Sequence, residues 1–294
     1  MELGRFEINE VSSKVMDIVN SNVGADNRRT VTRICERYGQ KKEDIRKYDV
    51  YKIKTDEEER ILKKTSEREV KNYEMYLHGK NFNVPQYYGS YNDGKDIWIV
   101  IENIEGNDLR DMTGDLVNEA AESISEIQNA FWNYPEEERY QAYLDRIERR
   151  FSFIKGYHII GEAYDLFLKR QKTCPRTMSN GDLLQFNIVD HKGKAVIIDW
   201  GFGGIMPYSL DIARFIAHAT EDRATFPFYM NEDQKKSFID GVYERLIEKP
   251  DYQQYICDIK LALLNEYVEF IEADEDEDNW YLKHAEELSK ELLL

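Results

Sequence analysis

Cysteine is scarce in this 294-residue chain: Cys35, Cys174 and Cys257 are odd in number, far apart and without CxxC or Cys/His ligand spacing. That excludes a disulfide framework or a zinc site as the organising feature. No apolar run approaches the roughly 18 residues that a membrane-spanning helix needs, and residues 1–7 lack the basic-then-apolar pattern of an export signal. The expectation is a cytoplasmic protein without a membrane partner. Basic residues are also in deficit, 40 Lys and Arg against 57 Asp and Glu for a formal charge of −17. A nucleic acid would meet repulsion over most of such a surface, whereas a cationic small molecule would not. No repeat interrupts the chain, and one biased segment stands out, the acidic run at 272–278.

What is present is enough for a sizeable core, at 41% hydrophobic residues. Ile8, Val11, Val15 and Val19 fall at helical spacing, so the chain is predicted to open on an amphipathic helix over 8–20. Short β-type segments follow at 31–35, 49–53 and 60–63, a helix at 66–78, and two further strands at 84–89 and 97–101. Beyond Gly106 the pattern is helical: Ala120, Ile124, Ile127 and Phe131 share a face, and comparable periodicity recurs near 137–155, 160–172, 210–219, 233–247, 252–271 and 280–293. A β-hairpin breaks that series, with strands at 186–190 and 195–199 around His191-Lys192-Gly193-Lys194. The predicted organisation is an α+β protein of two parts, a β-rich region over 1–105 and a helical region over 106–294.

The chemistry concentrates at 179–200. Asp182 and Asn187 stand in D-x-x-x-x-N spacing, the division of labour phosphoryl transfer uses: a carboxylate for the attacking hydroxyl and an oxygen ligand for Mg²⁺. If the hairpin turns at Lys192-Gly193, Asn187 falls opposite or diagonal to Asp199, so one hard cation could be shared by the two side chains. Asp199 also closes the apolar run 195–198, where a buried carboxylate without a partner would be costly. Single Asp or Asn matches are weak, because both are common turn residues. Loop, hairpin, terminal aspartate and following helix in one series are much less easily produced by chance.

This segment resembles the signature of the aminoglycoside phosphotransferase and choline kinase superfamily, H-G-D-x-x-x-x-N, then I-D-W, then D-[LI]-A. Here it reads Asn180-Gly181-Asp182, Asn187, Ile198-Asp199-Trp200 and Asp211-Ile212-Ala213. The resemblance implies a two-lobed protein-kinase-like fold, with Asp182 as catalytic base, Asn187 and Asp199 as Mg²⁺ ligands and Asp211 bracing the loop. A helix N-terminal carboxylate is an equal reading of Asp211. Asn180 replaces the family's histidine, and its amide can donate and accept as a neutral imidazole does.

A kinase-like fold needs a strand lysine for the phosphates and a helix glutamate to hold it. Lys63 follows Ile61-Leu62 in that manner and Glu69 opens the next helix; Lys64 and Glu74 are the alternatives. Glu102, Asn103 and Ile104 resemble the family's nucleotide hinge, whose backbone meets the base of ATP or GTP. The segment from Gly39 to Lys47 has one glycine where a protein kinase's phosphate loop has several, and Asp199-Trp200-Gly201 stands where D-F-G would be. Both departures favour a small-molecule kinase over a protein kinase. The acceptor stays open: a cationic aminoglycoside or amino alcohol, suggested by the acidic run beside Trp280-Tyr281, or a metabolite such as choline, homoserine or a sugar. A non-catalytic nucleotide-binding protein is the remaining alternative.

Overall fold

A computed structural model describes residues 4–23, 29–37, 41, 44–109, 112–136, 138–219, 229–273, 276 and 278–294. The chain divides into two compact units, residues 1–80 with 84–105, and residues 81–83 with 106–294.

The first unit is built on one six-stranded antiparallel sheet. Its strands are β1 (Gly4–Ile8), β2 (Thr30–Arg37), β3 (Ile45–Lys54), β4 (Glu59–Thr65), β5 (Tyr87–Asn92) and β6 (Ile97–Glu102), in the order β1-β2-β3-β4-β6-β5. Helix α1 (Ser13–Val23) lays Val15, Ile18 and Val19 on a face made by Tyr51, Ile53, Leu62, Trp98 and Val100. The period-2 pleat puts those side chains on one side and leaves the alternate residues of β4 and β6 to the other. The opening segment corrects the sequence reading. Ile8 ends a strand paired with β2, at Ile8 opposite Arg33, and the helix begins five residues later. Helix α2 (Glu67–Asn72), whose N-cap Ser66 accepts from the Glu69 amide, runs into a π-helical turn over Tyr73–Leu77.

The second unit is mainly helical. Helices α3 (Gly114–Ala130), α4 (Glu138–Ile154), α5 (His158–Gln171), α6 (Ser209–Ala217), α7 (Glu232–Arg245), α8 (Tyr252–Glu272) and α9 (Trp280–Leu292) bury an apolar core that includes Tyr143, Ile147, Tyr164, Phe167, Ala262, Leu264 and Ala285. Strand β7 (Asn107–Asp108) pairs with β9 (Ile188–His191), which pairs with β10 (Lys194–Ile197). Lys192 and Gly193 both have positive φ, 55° and 80°, and form the two-residue hairpin turn that the sequence anticipates. Strands β8 (Arg176–Ser179) and β11 (Gly204–Pro207) pair with Ser179 opposite Gly204. That pair clamps both ends of the segment 180–203, so the motif is held on a rigid frame. Among the described residues, no helix is long and apolar enough to cross a membrane.

Candidate active site

In the first unit, alternation along β4 separates the two candidate lysines. Leu62 is buried under α1, and Lys63 points to the other face, where its Nζ lies 3.0 and 2.9 Å from the two carboxylate oxygens of Glu69. Glu69 is buried in the first turn of α2 and also accepts from the Thr65 hydroxyl. Lys64 takes the α1 side and pairs with Asp96 at 2.7 Å, beside Lys14. Glu74 accepts from the Tyr87 hydroxyl at 2.8 Å. The geometry therefore brings Lys63 together with Glu69 and gives Lys64 and Glu74 other partners.

At the end of β6, the Glu102 amide donates to the Gln86 carbonyl at 2.8 Å and the Asn103 amide to the Glu59 carbonyl at 3.3 Å. Both donors are thus engaged within the sheet. The Ile104 amide has no backbone partner among the described residues. Within the segment from Gly39 to Lys47, Arg46 and Lys47 lie inside β3, with Lys47 paired to Glu10 at 2.6 Å. Gly39 and Lys42 fall outside the described residues.

In the second unit, the loop after β8 is organised around Asp211 in the first turn of α6. Its Oδ1 accepts from the Ser179 hydroxyl at 2.7 Å and the Gly181 amide at 3.0 Å, and its Oδ2 accepts from the Asn180 amide at 2.6 Å. Asp211 is both a helix-start carboxylate and a brace for the loop. Burial pushes its carboxyl up, and the three donors oppose that shift. Asn180, fully buried, gives its Nδ2 to the carbonyls of Ile198 and Asp199 at 3.1 and 3.0 Å while its Oδ1 accepts from the Asp182 amide at 3.2 Å. It ties the loop to the hairpin's exit strand, the bridging task for which an amide with both donor and acceptor is suited.

Gly181 has φ +78°, and a Cβ there would sit 2.4 Å from the Phe202 carbonyl oxygen. Gly181→Ala is expected to cost about 1–3 kcal/mol through left-handed strain and the backbone clash. A melting experiment checks this; an unchanged Tm would contradict the loop geometry.

Asp182 is half-buried in this loop. The Asn187 Nδ2 donates to its carbonyl at 2.7 Å and approaches its Oδ2 at 3.4 Å. On the other side, Nε and Nη2 of Arg214 both donate to Oδ1, at 3.2 and 2.7 Å. Burial nevertheless raises the Asp182 carboxyl above the usual range, Arg214 pulls it back, and the charge of Asp199 pushes it up again. Arg214 Nη1 also donates to Glu266 on α8 at 2.6 Å, and the charge of Glu266 adds to the upward push on Asp182. Glu266 is itself held low despite burial, by Arg214 and His218.

The hairpin register pairs Ile188 with Ile197, and the Ile198 amide donates to the Asn187 carbonyl at 2.9 Å. Asn187 therefore stands opposite Ile198, and Asp199 is the next residue along. Asp199 has φ +58°, a left-handed conformation that Asp adopts more readily than most residues. With the Asn187 Nδ2 engaged by Asp182, its Oδ1 is the oxygen the side chain could give a ligand. The amide oxygen of Asn187 and the carboxylates of Asp182 and Asp199, with the charge of Asp199 pushing the Asp182 carboxyl up, are hard-oxygen donors of the kind a divalent ion takes. No group of three or more His, Cys, Asp or Glu side chains among the described residues could hold a metal without other donors.

Two features lay beyond sequence reasoning. Arg214 and Glu266 join the site from α6 and α8, and only the position of Arg214 three residues after Asp211 could have pointed to it. The acidic run is the second. Asp276 spends Oδ1 on the Tyr281 amide at 2.9 Å and Oδ2 on the Leu282 amide at 2.9 Å, and Asp278 accepts from the Trp280 amide at 3.3 Å. Both described aspartates thus serve the start of α9; Asp274 lies outside the described residues.

No family model and no curated protein matches the sequence. Solved structures do. An ethanolamine kinase of Plasmodium vivax matches with a TM-score of 0.59 at 12% identity, over 97% of this chain and 91% of that one. The fold is that of the aminoglycoside phosphotransferases and choline kinases. A choline kinase of Cryptosporidium parvum matches at TM-score 0.58 and 12% identity, over 95% of this chain and 94% of its own. A thermostable mutant of an aminoglycoside phosphotransferase, in ternary complex with ADP and hygromycin B, gives TM-score 0.57 and 13% identity over 95% and 98%. The two-lobed kinase-like architecture inferred from the motif is therefore present. Its sheet carries the Lys63–Glu69 pair, and its helical part carries the β8–β11 frame and the hairpin.

Proposed function

We propose that the protein is a small-molecule kinase that moves the γ-phosphoryl group of a nucleoside triphosphate, ATP in the first instance, to a hydroxyl of a small acceptor. One observation carries the reading: Asp182 sits on a loop fixed at both ends, contacted by Asn187 and electrostatically coupled to Asp199. The kinase-like fold supports it. In this reading Asp182 is the base, and its raised carboxyl is suited to taking a proton. The acceptor oxygen bonds to the γ-phosphorus, the bond from that phosphorus to the ADP oxygen breaks, and the hydroxyl proton passes to Asp182. Asn187 and Asp199 would hold Mg²⁺, which when bound offsets charge on the phosphates. Lys63, kept in place by Glu69, takes the α- and β-phosphates, and the backbone at Glu102, Asn103 and Ile104 reads the base.

The acceptors to try first are choline, ethanolamine and an aminoglycoside such as hygromycin B, the molecules named for the similar structures. A cationic acceptor agrees with the −17 balance, although Asp276 and Asp278 serve α9. A panel of these with homoserine and sugars, read as ADP release from Mg·ATP in a cytoplasm-like buffer, tests the proposal. Acceptor-stimulated release supports it; a parent protein that releases no ADP with any acceptor, water included, overturns it.

The lysine assignment has its own control. Lys63→Met is expected to raise KM for the nucleotide about 10–100-fold, the worth of one charge-assisted phosphate contact. Lys64→Met, on the opposite face of β4, should leave that KM unchanged. Equal effects from the two would contradict the assignment.

A further inference from the structure

Among the described residues, Arg214 is the cation in direct contact with Asp182, and each of its three guanidinium nitrogens is engaged. Nε and Nη2 converge on Oδ1 of Asp182, Nη1 goes to Glu266, and the plane lies 5.7 Å from the Phe270 ring centroid. The charged groups around it are Asp182 from the loop, Asp211 and His218 from α6, Glu266 and Glu269 from α8, and Arg146 from α4, which lines the same small recess. A carboxylate turns readily about its last torsion, which is broad and two-fold. Two donors on a single oxygen remove that freedom. They leave Oδ2 as the oxygen directed away from Arg214, on the side where the Asn187 amide approaches it.

Resting on the function proposed above, we infer that Arg214, anchored through Glu266, is a positioning residue that fixes the Asp182 carboxylate so that Oδ2 receives the acceptor's proton. Lysine could not replace it, because a single ammonium lacks the planar fork that reaches two carboxylates at once in fixed directions. The arrangement also connects the base to α8. Movement of Glu266 would be transmitted to Asp182 through one rigid group.

The test compares parent, Arg214→Lys, the double variant Arg214→Gln/Glu266→Gln and Asp182→Asn by ADP release from Mg·ATP. Choline, ethanolamine, hygromycin B and water serve as acceptors, and each protein's melting curve is recorded. The double variant removes Glu266 together with its partner, so that buried carboxylate is not left unpaired, and the loss of Arg214 from Asp182 is the change under test. We expect Arg214→Lys and the double variant to lose about 100-fold in kcat, as for a misplaced reacting group. Their KM for nucleotide and acceptor should stay within about threefold, the pattern of an interaction used only in the transition state. Added guanidinium at millimolar concentration should restore part of the double variant's kcat and none of that of Asp182→Asn. A folded double variant with kcat within about threefold of the parent overturns the inference. So does a loss that appears only as a raised KM without guanidinium rescue. If Asp182→Asn loses activity while the Arg214 variants keep it, this inference alone falls; if Asp182→Asn matches the parent, the base lies elsewhere and the site assignment falls with the inference, whereas a parent that releases no ADP overturns the function itself.

Discussion

Asp182→Asn is expected to lower kcat by about 10³-fold or more while nucleotide affinity stays near that of the parent. General-base catalysis contributes about 10²–10⁴-fold, and the amide keeps the shape of the side chain while losing its capacity to accept a proton. Nucleotide affinity is retained because the residues assigned to the nucleotide, Lys63 with Glu69 and the Glu102–Ile104 backbone, belong to a different segment. Stability should hardly suffer. Burial raises the Asp182 carboxyl despite Arg214, so the folded state binds this proton more tightly than the unfolded chain does. The contribution of the group to stability is therefore full below the unfolded carboxylate range and declines as pH rises through the folded value. Equilibrium binding of a fluorescent ATP analogue, a melting curve and ADP release together check this. An active variant would show that the base lies elsewhere.

Substituting Asp199 is expected to act on binding. Asp199→Ala should weaken Mg·nucleotide affinity by about 10–100-fold or more, in line with the loss of a charge-assisted ligand and its supporting contacts. Alanine adds a second effect, because the residue has φ +58° and the left-handed region costs a residue without a locally bonding side chain about 1–2 kcal/mol. Asp199→Asn separates the two. Asparagine tolerates that backbone and keeps an oxygen but loses the charge. A large affinity loss in both variants assigns the effect to the carboxylate. A loss confined to Asp199→Ala assigns it to the backbone and removes Asp199 from the metal set.

The helical part was largely legible because its helices are long and one-sided, so the 3.6-residue period in stretches such as 114–130 and 252–272 is well sampled. The short strands were not. Strands β7, β8 and β11 hold two to four residues each, too few for a period of two to be read. Their existence depends on pairing between distant segments, as of Ser179 with Gly204. Strand β1 was missed for a related reason: Ile8 fits a helical series with Val11 and Val15 just as well as it ends a five-residue strand, and only the partner strand β2 decides.

The candidate site divides along the same line. Asp182 and Asn187 are close in sequence, so the contact between them could be anticipated. Lys63 and Glu69 follow from the alternation of β4 and the cap at Ser66. Arg214 reaches Asp182 across 32 positions and Glu266 across 52, and no local pattern signals such a contact. Asp276 shows the opposite error. An aspartate in an acidic run looks like a binding surface until its two oxygens are found on the amides that open α9.

The most direct test of the account does not require the acceptor. Mn²⁺, standing in for Mg²⁺ and counted by electron paramagnetic resonance, can be titrated into the protein with and without ADP. Tight Mn²⁺ binding that depends on nucleotide is predicted for the parent and for Asp182→Asn, and its loss for Asn187→Ala and Asp199→Asn. Mn²⁺ binding that is the same in all four proteins would contradict the assignment of the metal to the loop and the hairpin.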